Sequence, residues 1–340
     1  MNKVSVIGAG NVGATAAMKM AINHIADEIV LLDIKDGFAE GKAMDIMQCS
    51  YAENFDVKVI GVTNDYSATA NSDVIVVTSG MARKPGMTRE DLVGVNSRIV
   101  ADVVTMCDKY SPDACYVIVS NPMDTMTLHA LNTLKKLHPN QIMDGSVIGM
   151  GNLLDSSRFR YFVWKKINEV KPELGVKIND IKNAWVLGGH GDTTMIPVYK
   201  NVMVNANYPT IGSATGRENV EMSLVDILSE EQIADIVDNT MKGGSILTNL
   251  LGTSAWEAPA ACIAKTVFYI LNGSSPAIPC SIYRRNLDCC IGTLTCIGKS
   301  YGHYGITAYL AENEEDGDLV EKMKISAEAI KKVNAALPNE

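Results

Sequence analysis

Hydrophobic and polar positions follow two different patterns along the chain. In the first half, short β-rich apolar runs alternate with amphipathic helical segments. Near-continuous runs of Val, Ile and Leu are typical of parallel strands buried on both faces, and strands that alternate with helices indicate βαβ units. Residues 1–150 are therefore predicted to form a doubly wound α/β domain. Its strands are predicted at residues 3–8, 28–33, 57–62, 73–80, 115–121 and 146–151.

The pattern changes after the sixth predicted strand. A long helix is predicted over 152–168, followed by a charged connection, a short strand and two further long helical segments. The strands predicted within 278–311 have no helices between them and should be antiparallel, and a helix over 315–336 follows them. Residues 151–340 are therefore predicted to form a second, α+β domain. No linker rich in Gly, Pro or Ser separates the halves, so we expect them to pack closely around a ligand site.

Composition narrows the range of partners. The chain has 340 residues, of which 47% are hydrophobic and 20% charged, as is typical of a globular protein of about two domains. Its formal net charge of −9 disfavours binding to nucleic acid or to an anionic membrane surface. No run reaches the roughly 18 apolar residues of a membrane span. The chain also starts directly in a strand pattern, so no targeting segment and a cytoplasmic location are expected.

The eight cysteines show no C-x-x-C spacing, and several lie inside apolar runs. We expect reduced, buried, structural thiols, which a reducing compartment permits. The adjacent Cys289 and Cys290 leave a redox or metal site as the alternative. The sequence around them offers neither a second cysteine pair at ligand spacing nor a nearby histidine.

A glycine-rich motif follows the first predicted strand and opens a helical segment. Its residues are Gly8, Ala9, Gly10, Asn11, Val12 and Gly13. Gly8 permits the tight turn, Gly10 lets the backbone approach a pyrophosphate, and Gly13 allows close packing of helix on strand. The N–H groups at the start of the helix can bind the anion. The motif predicts a dinucleotide-binding site, and the alternative is a plain glycine-rich turn between strand and helix.

An acidic residue ends the second predicted strand. Asp33 lies about 20 residues beyond the glycine motif, where a carboxylate accepts hydrogen bonds from ribose hydroxyls and repels a 2′-phosphate. This favours NAD over NADP as the cofactor. Lys35 is a nearby cation that would weaken the preference.

The segment after the fourth predicted strand is strongly basic. Two arginines and a lysine, Arg83, Lys84 and Arg89, lie within seven residues, and Gly80 and Gly86 offer hinges. Ligands of an open parallel sheet bind outside the carboxyl ends of its strands. We therefore predict a lid that brings positive charge to an anionic substrate. A solvated charged loop is the alternative.

A third group of residues follows the sixth predicted strand. Asp155 and Arg158 are three residues apart on the long predicted helix and share a face, which by itself is typical of a surface ion pair. His190 has a glycine on each side at the end of a strand. It is one of five histidines and is the candidate proton carrier.

Together these motifs resemble the lactate/malate dehydrogenase family, and within it the malate dehydrogenases that are built like lactate dehydrogenases. The matching segments run from residue 8 to 261: GAGNVG, LLD, TSGMARKPGMTREDL, VNSRIV, VSNPMD, LLDSSRFR, GGHGD and APAA. The resemblance implies a Rossmann-type domain followed by a substrate domain, NAD as cofactor, and a homodimer or homotetramer. It also implies reversible oxidation of (S)-malate to oxaloacetate, a reaction of the tricarboxylic acid cycle.

The resemblance implies a role for each matching residue. His190 is implied as the general acid/base, Asp155 as the residue that orients and stabilises its imidazolium, and Arg158 as the clamp on the substrate's C1 carboxylate. Arg89 is implied to polarise the substrate carbonyl, and Asn121 to hydrogen-bond the substrate. Cofactor contacts are implied, besides the glycine motif and Asp33, at Thr78, Gly80, Asn96, Val119 and Asn121.

Substrate choice is expected to depend on Arg83. In the family this position is typically Gln in lactate dehydrogenases and Arg in malate dehydrogenases. A second cation in a closed site pairs with the distal carboxylate of oxaloacetate and is left unpaired by pyruvate. The resemblance therefore implies malate and oxaloacetate. A dehydrogenase for L-lactate or another 2-hydroxy acid is the first alternative, and an NAD-dependent glycosidase or a non-catalytic NAD-binding protein are more distant ones.

The chain departs from the family pattern at several positions. Ala82 replaces a usual proline in the predicted lid, the segment 160–181 is longer than usual, and a threonine is added after GGHGD. The segment Ser254-Ala255-Trp256-Glu257 replaces a more usual aromatic pair before APAA, which is expected to bring a carboxylate near a wall of the substrate pocket. These departures affect the expected substrate range and subunit contacts and leave the chemistry intact.

Overall fold

The computed structural model of the chain describes residues 1–81, 89–209, 217–300, 302–310 and 317–338. Its strands are β1 (Lys3–Ile7), β2 (Glu28–Asp33), β3 (Lys58–Thr63), β4 (Val74–Val77), β5 (Cys115–Ile118), β6 (Val147–Gly149), β7 (Ile181–Lys182), β8 (Val186–Gly188), β9 (Met195–Pro197), β10 (Met203–Pro209), β11 (Arg217–Ser223), β12 (Ile278–Arg284), β13 (Cys289–Ser300) and β14 (His303–Leu310). Its helices are α1 (Asn11–Ile22), α2 (Phe38–Gln48), α3 (Ser50–Glu53), α4 (Arg89–Asp108), α5 (Met123–Leu137), α6 (Asn152–Val170), α7 (Leu224–Ile227), α8 (Glu230–Leu251), α9 (Glu257–Leu271) and α10 (Gly317–Asn334).

The first six strands form a parallel sheet in the order β3-β2-β1-β4-β5-β6. This is the strand order of a doubly wound, dinucleotide-binding sheet, so the predicted fold class is confirmed. The fourth and fifth strands end at Val77 and Ile118, three residues earlier than predicted. The residues beyond them, 78–80 and 119–121, leave the sheet at its carboxyl edge, where parallel strands present ligand-binding residues.

The antiparallel strands continue this sheet. β12 pairs with β6 through Ser281 and Gly149, and β13, β8 and β9 follow, with β14 also on β13. The antiparallel pairing predicted for 278–311 is confirmed. The division into residues 1–150 and 151–340 stays a prediction; one sheet runs through both parts.

The long segment between the Asp155 and His190 motifs forms a small core of its own. After α6 the chain makes two short 3-10 turns, and Leu174 of the first turn and Val176 between the turns are buried. They join a hydrophobic cluster with Phe159 and Val163 of α6 and with Val204 of the three-stranded sheet β11-β10-β7. The segment therefore packs against the helix that carries Asp155 and Arg158.

Hydrophobic clusters cover both faces of the parallel sheet. On one face α1 packs against α9, so a helix from the second half of the chain covers the first strands. On the other face α4 and α5 pack on β4 and β5. Within the described ranges, no helix has both the length and the apolar composition needed to cross a bilayer.

Candidate active site

Two contiguous cavities lie at the carboxyl edge of the parallel sheet. The glycine cavity, of about 790 Å³, is lined by Gly8, Gly10, Asp33, Thr78 and Gly80 among other residues. The histidine cavity, of about 480 Å³, is lined by Val12, Thr78, Gly80, Asn96, Val119, Asn121, Arg158 and His190 among others. Most of the residues singled out in the sequence thus meet here. Of the glycine motif, Ala9, Asn11 and Gly13 line neither cavity.

The glycine motif forms a tight turn held by its neighbours. Gly8 has a φ of +104°, which favours glycine. A Cβ at Gly13 would lie 2.0 Å from the carbonyl oxygen of Gly8, so the helix approaches the turn as closely as only glycine allows. Thr78 Oγ1 donates to that same carbonyl oxygen at 2.8 Å. Asp33 Oδ2 accepts the Ala9 N–H at 2.8 Å, so the carboxylate also fixes the turn.

The residues of the glycine cavity fit a dinucleotide. Among the described residues no side chain caps α1, so the first N–H groups of this helix are available to an anion. A Cβ at Gly10 would meet nothing within 4 Å, so packing does not require glycine here, and open space lies beside the turn. Lys35 is turned away onto the ring of Phe38, with Nζ 4.7 Å from the ring centroid.

His190, Asp155 and Arg158 form a hydrogen-bonded chain at the wall of the histidine cavity. The Nδ1 atom of His190 lies 2.7 Å from Asp155 Oδ2, and Arg158 Nη1 donates to Asp155 Oδ1 at 3.0 Å. The Asp155 side chain is completely buried. The surface-pair interpretation of Asp155 and Arg158 is therefore wrong. The pairing leaves Nε2 as the ring nitrogen of His190 that can face a ligand.

The charge on Asp155 controls the protonation of His190. Burial of the ring acts to lower the pKa of His190, but the charge and hydrogen bond of Asp155 outweigh it. Asp124 adds to the upward effect and Arg158 opposes it. The pKa of His190 therefore lies above its ordinary value, which suits a group that must hold a proton near neutral pH.

Arg158 lies against two glycines of α8 that the sequence analysis did not single out. A Cβ at Gly243 would lie 3.2 Å from Arg158 Cδ, and one at Gly244 would lie 3.6 Å from Arg158 Nη1. Within the described residues, Arg158 Nε has no hydrogen-bond acceptor. A guanidinium that lines a cavity with donors to spare can bind a carboxylate in a bidentate pair. Consecutive glycines inside a helical pattern were the signal available in the sequence.

Asn96 braces the wall between the two cavities. Its Oδ1 accepts the Met81 N–H at 2.7 Å, and its Nδ2 donates to the carbonyl oxygens of Asn121 at 2.6 Å and Met81 at 3.2 Å. The amide is thus engaged with the main chain on both sides. It fixes the residue that follows Gly80 and the residue that ends the predicted fifth strand.

Two further side chains hold the loop that carries His190. Asp124 Oδ2 accepts the His190 N–H at 2.7 Å, and Ser326 Oγ of α10 accepts the Gly189 N–H at 2.9 Å. Ser326 Oγ also donates to the carbonyl oxygen of Thr194, the second threonine of HGDTTM. The sequence analysis missed both residues, because they lie 66 and 137 positions from their partners.

Not every predicted residue can be placed. Arg83 and Ala82 lie outside the described residues. Arg89 is the first residue of α4, and only its main chain is described. Glu257 does not bring a carboxylate to the pocket: its side chain is 72% exposed and its Oε2 lies 3.8 Å from Lys19 Nζ of α1. The first turn of α9 presents Pro259 to the cavity instead.

All eight cysteines belong to the described part of the chain and are free thiols. Cys289 and Cys290 are buried in β13. Burial raises the pKa of Cys289 to about 12 and that of Cys290 well above its usual range. Since redox and metal chemistry of cysteine needs thiolates, the structure favours structural thiols here.

Comparison with known proteins agrees with this geometry. Residues 2–144 match the sequence model described as "lactate/malate dehydrogenase, NAD binding domain", in line with the predicted cofactor, NAD. A malate dehydrogenase of Bacteroides fragilis is 46% identical over 99% of this chain and 98% of its own. A malate dehydrogenase structure from Salinibacter ruber superposes with a TM-score of 0.82 at 34% identity, covering 98% of this chain and 97% of its own.

A lactate dehydrogenase is almost as similar in structure. The Cryptosporidium parvum enzyme, solved with lactic acid and nicotinamide adenine dinucleotide, has a TM-score of 0.82 at 29% identity and covers 100% of this chain and 98% of its own. Sequence identity over nearly the full length, strand order and site geometry lead to one conclusion: this chain belongs to the lactate/malate dehydrogenase family.

Proposed function

We propose that the protein is an NAD-dependent malate dehydrogenase, which catalyses reversible hydride transfer between (S)-malate and NAD and yields oxaloacetate and NADH. The observation that carries the proposal is the chain His190–Asp155–Arg158 on the wall of a cavity that opens into the glycine cavity. A proton carrier and a carboxylate clamp thus face the place where the cofactor's reactive end would lie. The full-length similarity to the Bacteroides fragilis malate dehydrogenase supports the same reaction.

The dinucleotide is proposed to bind along the glycine cavity. Asp33 is in place to accept hydrogen bonds from the ribose hydroxyls, and the N–H groups at the start of α1 are in place for the pyrophosphate. Gly10 leaves the space that close approach of the backbone requires. Thr78, Gly80 and Val119 continue the path into the histidine cavity.

His190 is proposed as the general acid/base. When bound, the nicotinamide ring supplies or accepts the hydride. In the direction of keto-acid reduction, His190 Nε2 donates a proton to the keto oxygen of the substrate; in the reverse direction it removes the proton of the hydroxyl. Asp155 holds the Nδ1 side of the ring and stabilises the imidazolium in both directions.

The arginines are proposed to hold the dicarboxylate. Arg158 binds the C1 carboxylate, with Asp155 holding Nη1 of the guanidinium and Gly244 leaving room beside Nη1 and Nη2. Asn121, held by Asn96, is proposed to hydrogen-bond the substrate. Arg89 is proposed to polarise the carbonyl and Arg83 to pair with the distal carboxylate.

The specific alternative is a dehydrogenase of lactate or another 2-hydroxy acid, since a lactate dehydrogenase has nearly the same fold. Both reactions use the same proton carrier and the same clamp on C1. They differ in the group at C3, so the charge at position 83 is expected to decide between them.

The protein is further proposed to act as a homodimer or homotetramer in the cytoplasm. Large apolar side chains are exposed on α2, α3 and α8, namely Met44, Tyr51 and Leu250. Association would remove them from water. The free thiols suit a reducing compartment. Light scattering on a sizing column measures the mass of the particle, and a monomer at micromolar concentration would contradict the oligomer.

The test of the proposed reaction is NADH consumption with oxaloacetate by the wild type, His190→Ala and His138→Ala. His138 is the matched control, because its Nε2 lies 2.8 Å from Asp108 Oδ1 and its side chain is 17% exposed, as is that of His190. We expect His190→Ala to lose about 10²- to 10⁴-fold in kcat while binding NADH normally, and His138→Ala to retain turnover. Equal losses in both variants would mean that His190 has a structural role.

A further inference from the structure

The His190 loop is a flexible piece of chain that needs to be held. Glycines occupy positions 188, 189 and 191, and Gly188 has a φ of +77°. Glycine restricts the backbone less than any other residue, so the sequence itself does not fix the position of the His190 Cα. Asp155 fixes the far side of the ring, but a hydrogen bond to one ring nitrogen leaves the ring free to swing about it. A second fixed point is required on the main chain.

Asp124 supplies that point. It lies in the first turn of α5 and is buried, at 7% exposure. Its Oδ2 accepts the main-chain N–H of His190 at 2.7 Å, and its Oδ1 accepts the hydroxyl of Ser281 on β12 at 2.7 Å. Both carboxylate oxygens are therefore engaged, one by the loop and one by the central sheet. Sites held by rigid helices and strands keep their geometry better than sites held by loops.

The buried Asp124 carboxylate joins two parts of the structure: Ser281 of β12 donates to one oxygen and the His190 loop to the other. Burial raises the pKa of Asp124 above its usual value, and the hydrogen bonds from Ser281 and from the His190 N–H counteract part of the effect. A buried carboxylate is costly, and buried carboxylates with shifted pKa values cluster at functional sites. Asp124 does not line the histidine cavity, so it acts through His190.

We infer that Asp124, itself held by Ser281, is a positioning residue that fixes the main chain of His190 so that Nε2 faces the reacting oxygen. This inference deepens the proposed function and rests on it. Three points then define the imidazole: its Nδ1 by Asp155, its main-chain nitrogen by Asp124, and the preceding residue by Ser326.

The test compares Asp124→Leu, Asp124→Asn and Ser281→Ala with the wild type. Leu removes the acceptor, whereas Asn keeps a carbonyl oxygen that can accept the His190 N–H. Ser281→Ala releases the far side of the carboxylate and is the milder variant if Asp124→Leu fails to fold. Ser72→Ala is the matched control, because it deletes a buried, hydrogen-bonded hydroxyl before β4, at the amino edge of the sheet and away from both cavities.

Each variant is characterised in two ways. Kinetics and binding give kcat, KM and the NADH Kd, and hydrogen exchange of the peptide 187–195 is followed in the enzyme without ligands. We expect Asp124→Leu to lose about 100-fold in kcat, as a misplaced catalytic group does, with NADH Kd unchanged and faster exchange in this peptide. Asp124→Asn is expected to restore most of the rate and the protection. Ser281→Ala is expected to lose up to about tenfold, and Ser72→Ala to match the wild type.

The outcomes separate the inference from the proposed function. A wild type that turns over oxaloacetate, together with wild-type kcat in both Asp124→Leu and Ser281→Ala, overturns the inference and leaves the proposed function standing. Loss in Asp124→Asn as large as in Asp124→Leu also overturns it, because the hydrogen-bond acceptor would then not be what matters. A wild type without turnover on oxaloacetate removes the proposed function, and the inference falls with it.

Discussion

Replacing Asp155 by Asn isolates the charge that acts on His190. The substitution keeps the shape of a completely buried side chain and removes the negative charge that faces both Nδ1 of His190 and Nη1 of Arg158; the one amide oxygen can accept from only one of them. In malate oxidation His190 becomes an imidazolium as it accepts the proton, so the lost attraction appears directly in the barrier. At about 4 Å between charge centres and an effective dielectric constant of about 20, this attraction is about 4 kcal/mol.

A loss of that size corresponds to about 1,000-fold in rate, since about 1.4 kcal/mol is tenfold. It is an upper value, because the amide oxygen of Asn can still accept a hydrogen bond from Nδ1 of the imidazolium. The pKa of His190 should fall, because burial then acts without the charge that outweighed it. In keto-acid reduction, where the protonated ring is required, the pH at which the rate declines should therefore move downward.

The assay is stopped-flow and steady-state malate oxidation and oxaloacetate reduction across pH, with NADH binding followed by its fluorescence. Asp108→Asn is the matched control, because Asp108 is buried and pairs with His138 at 2.8 Å away from both cavities. We expect a loss between about 100-fold and 1,000-fold in Asp155→Asn and none beyond twofold in the control. A loss below tenfold, or a pH profile that does not move, would refute this account of the pair.

The glycine cavity and the pair of His190 with Asp155 give three further predictions. Gly10→Ala should keep the melting temperature and weaken NADH binding at least about tenfold, whereas Gly13→Ala, whose Cβ would lie 2.0 Å from Gly8 O, should lower the melting temperature itself. Asp33→Ser should raise the ratio of kcat/KM for NADPH over NADH, and an unchanged ratio would remove Asp33 from ribose recognition. Because the pKa of His190 is raised on folding, its contribution to the free energy of unfolding is full below about pH 6.5 and is lost as pH rises through the folded-state value. In urea unfolding, Asp155→Asn should therefore lower the free energy of unfolding more at pH 5.5 than at pH 8.5.

Local patterns in the sequence predicted the parts of the fold that depend on local rules. β2 has the predicted bounds, because its apolar run is buried and ends at a charged residue, Asp33, which is still paired with Thr63 at the carboxyl edge of the sheet. The glycine turn follows from steric limits that involve a few neighbouring residues, with Gly8 and Gly13 as the clearest cases. β4 ends with its apolar run at Val77, three residues before the predicted end, because Thr78 and Gly80 line the cavities.

The supports of the site were beyond the reach of such patterns. Asp124 and Ser326 meet the His190 loop across long stretches of sequence, and no spacing rule links them to it. The position of Glu257 before APAA predicts a carboxylate at the pocket, but the side chain is 72% exposed and lies beside Lys19 of α1. The hydrogen-bond partners of the His190 loop and the direction of Glu257 are set by tertiary contacts, which local sequence patterns do not contain.

We propose that this family member recognises its substrate by the second carboxylate, which Arg83 binds. The most direct measurement is NADH oxidation at 340 nm with oxaloacetate and with pyruvate, at matched concentrations, by the wild type and by Arg83→Gln. We predict that kcat/KM of the wild type is higher for oxaloacetate by orders of magnitude and that Arg83→Gln loses this advantage. A wild type that prefers pyruvate or a bulkier keto acid would contradict the malate assignment and leave hydride transfer in place.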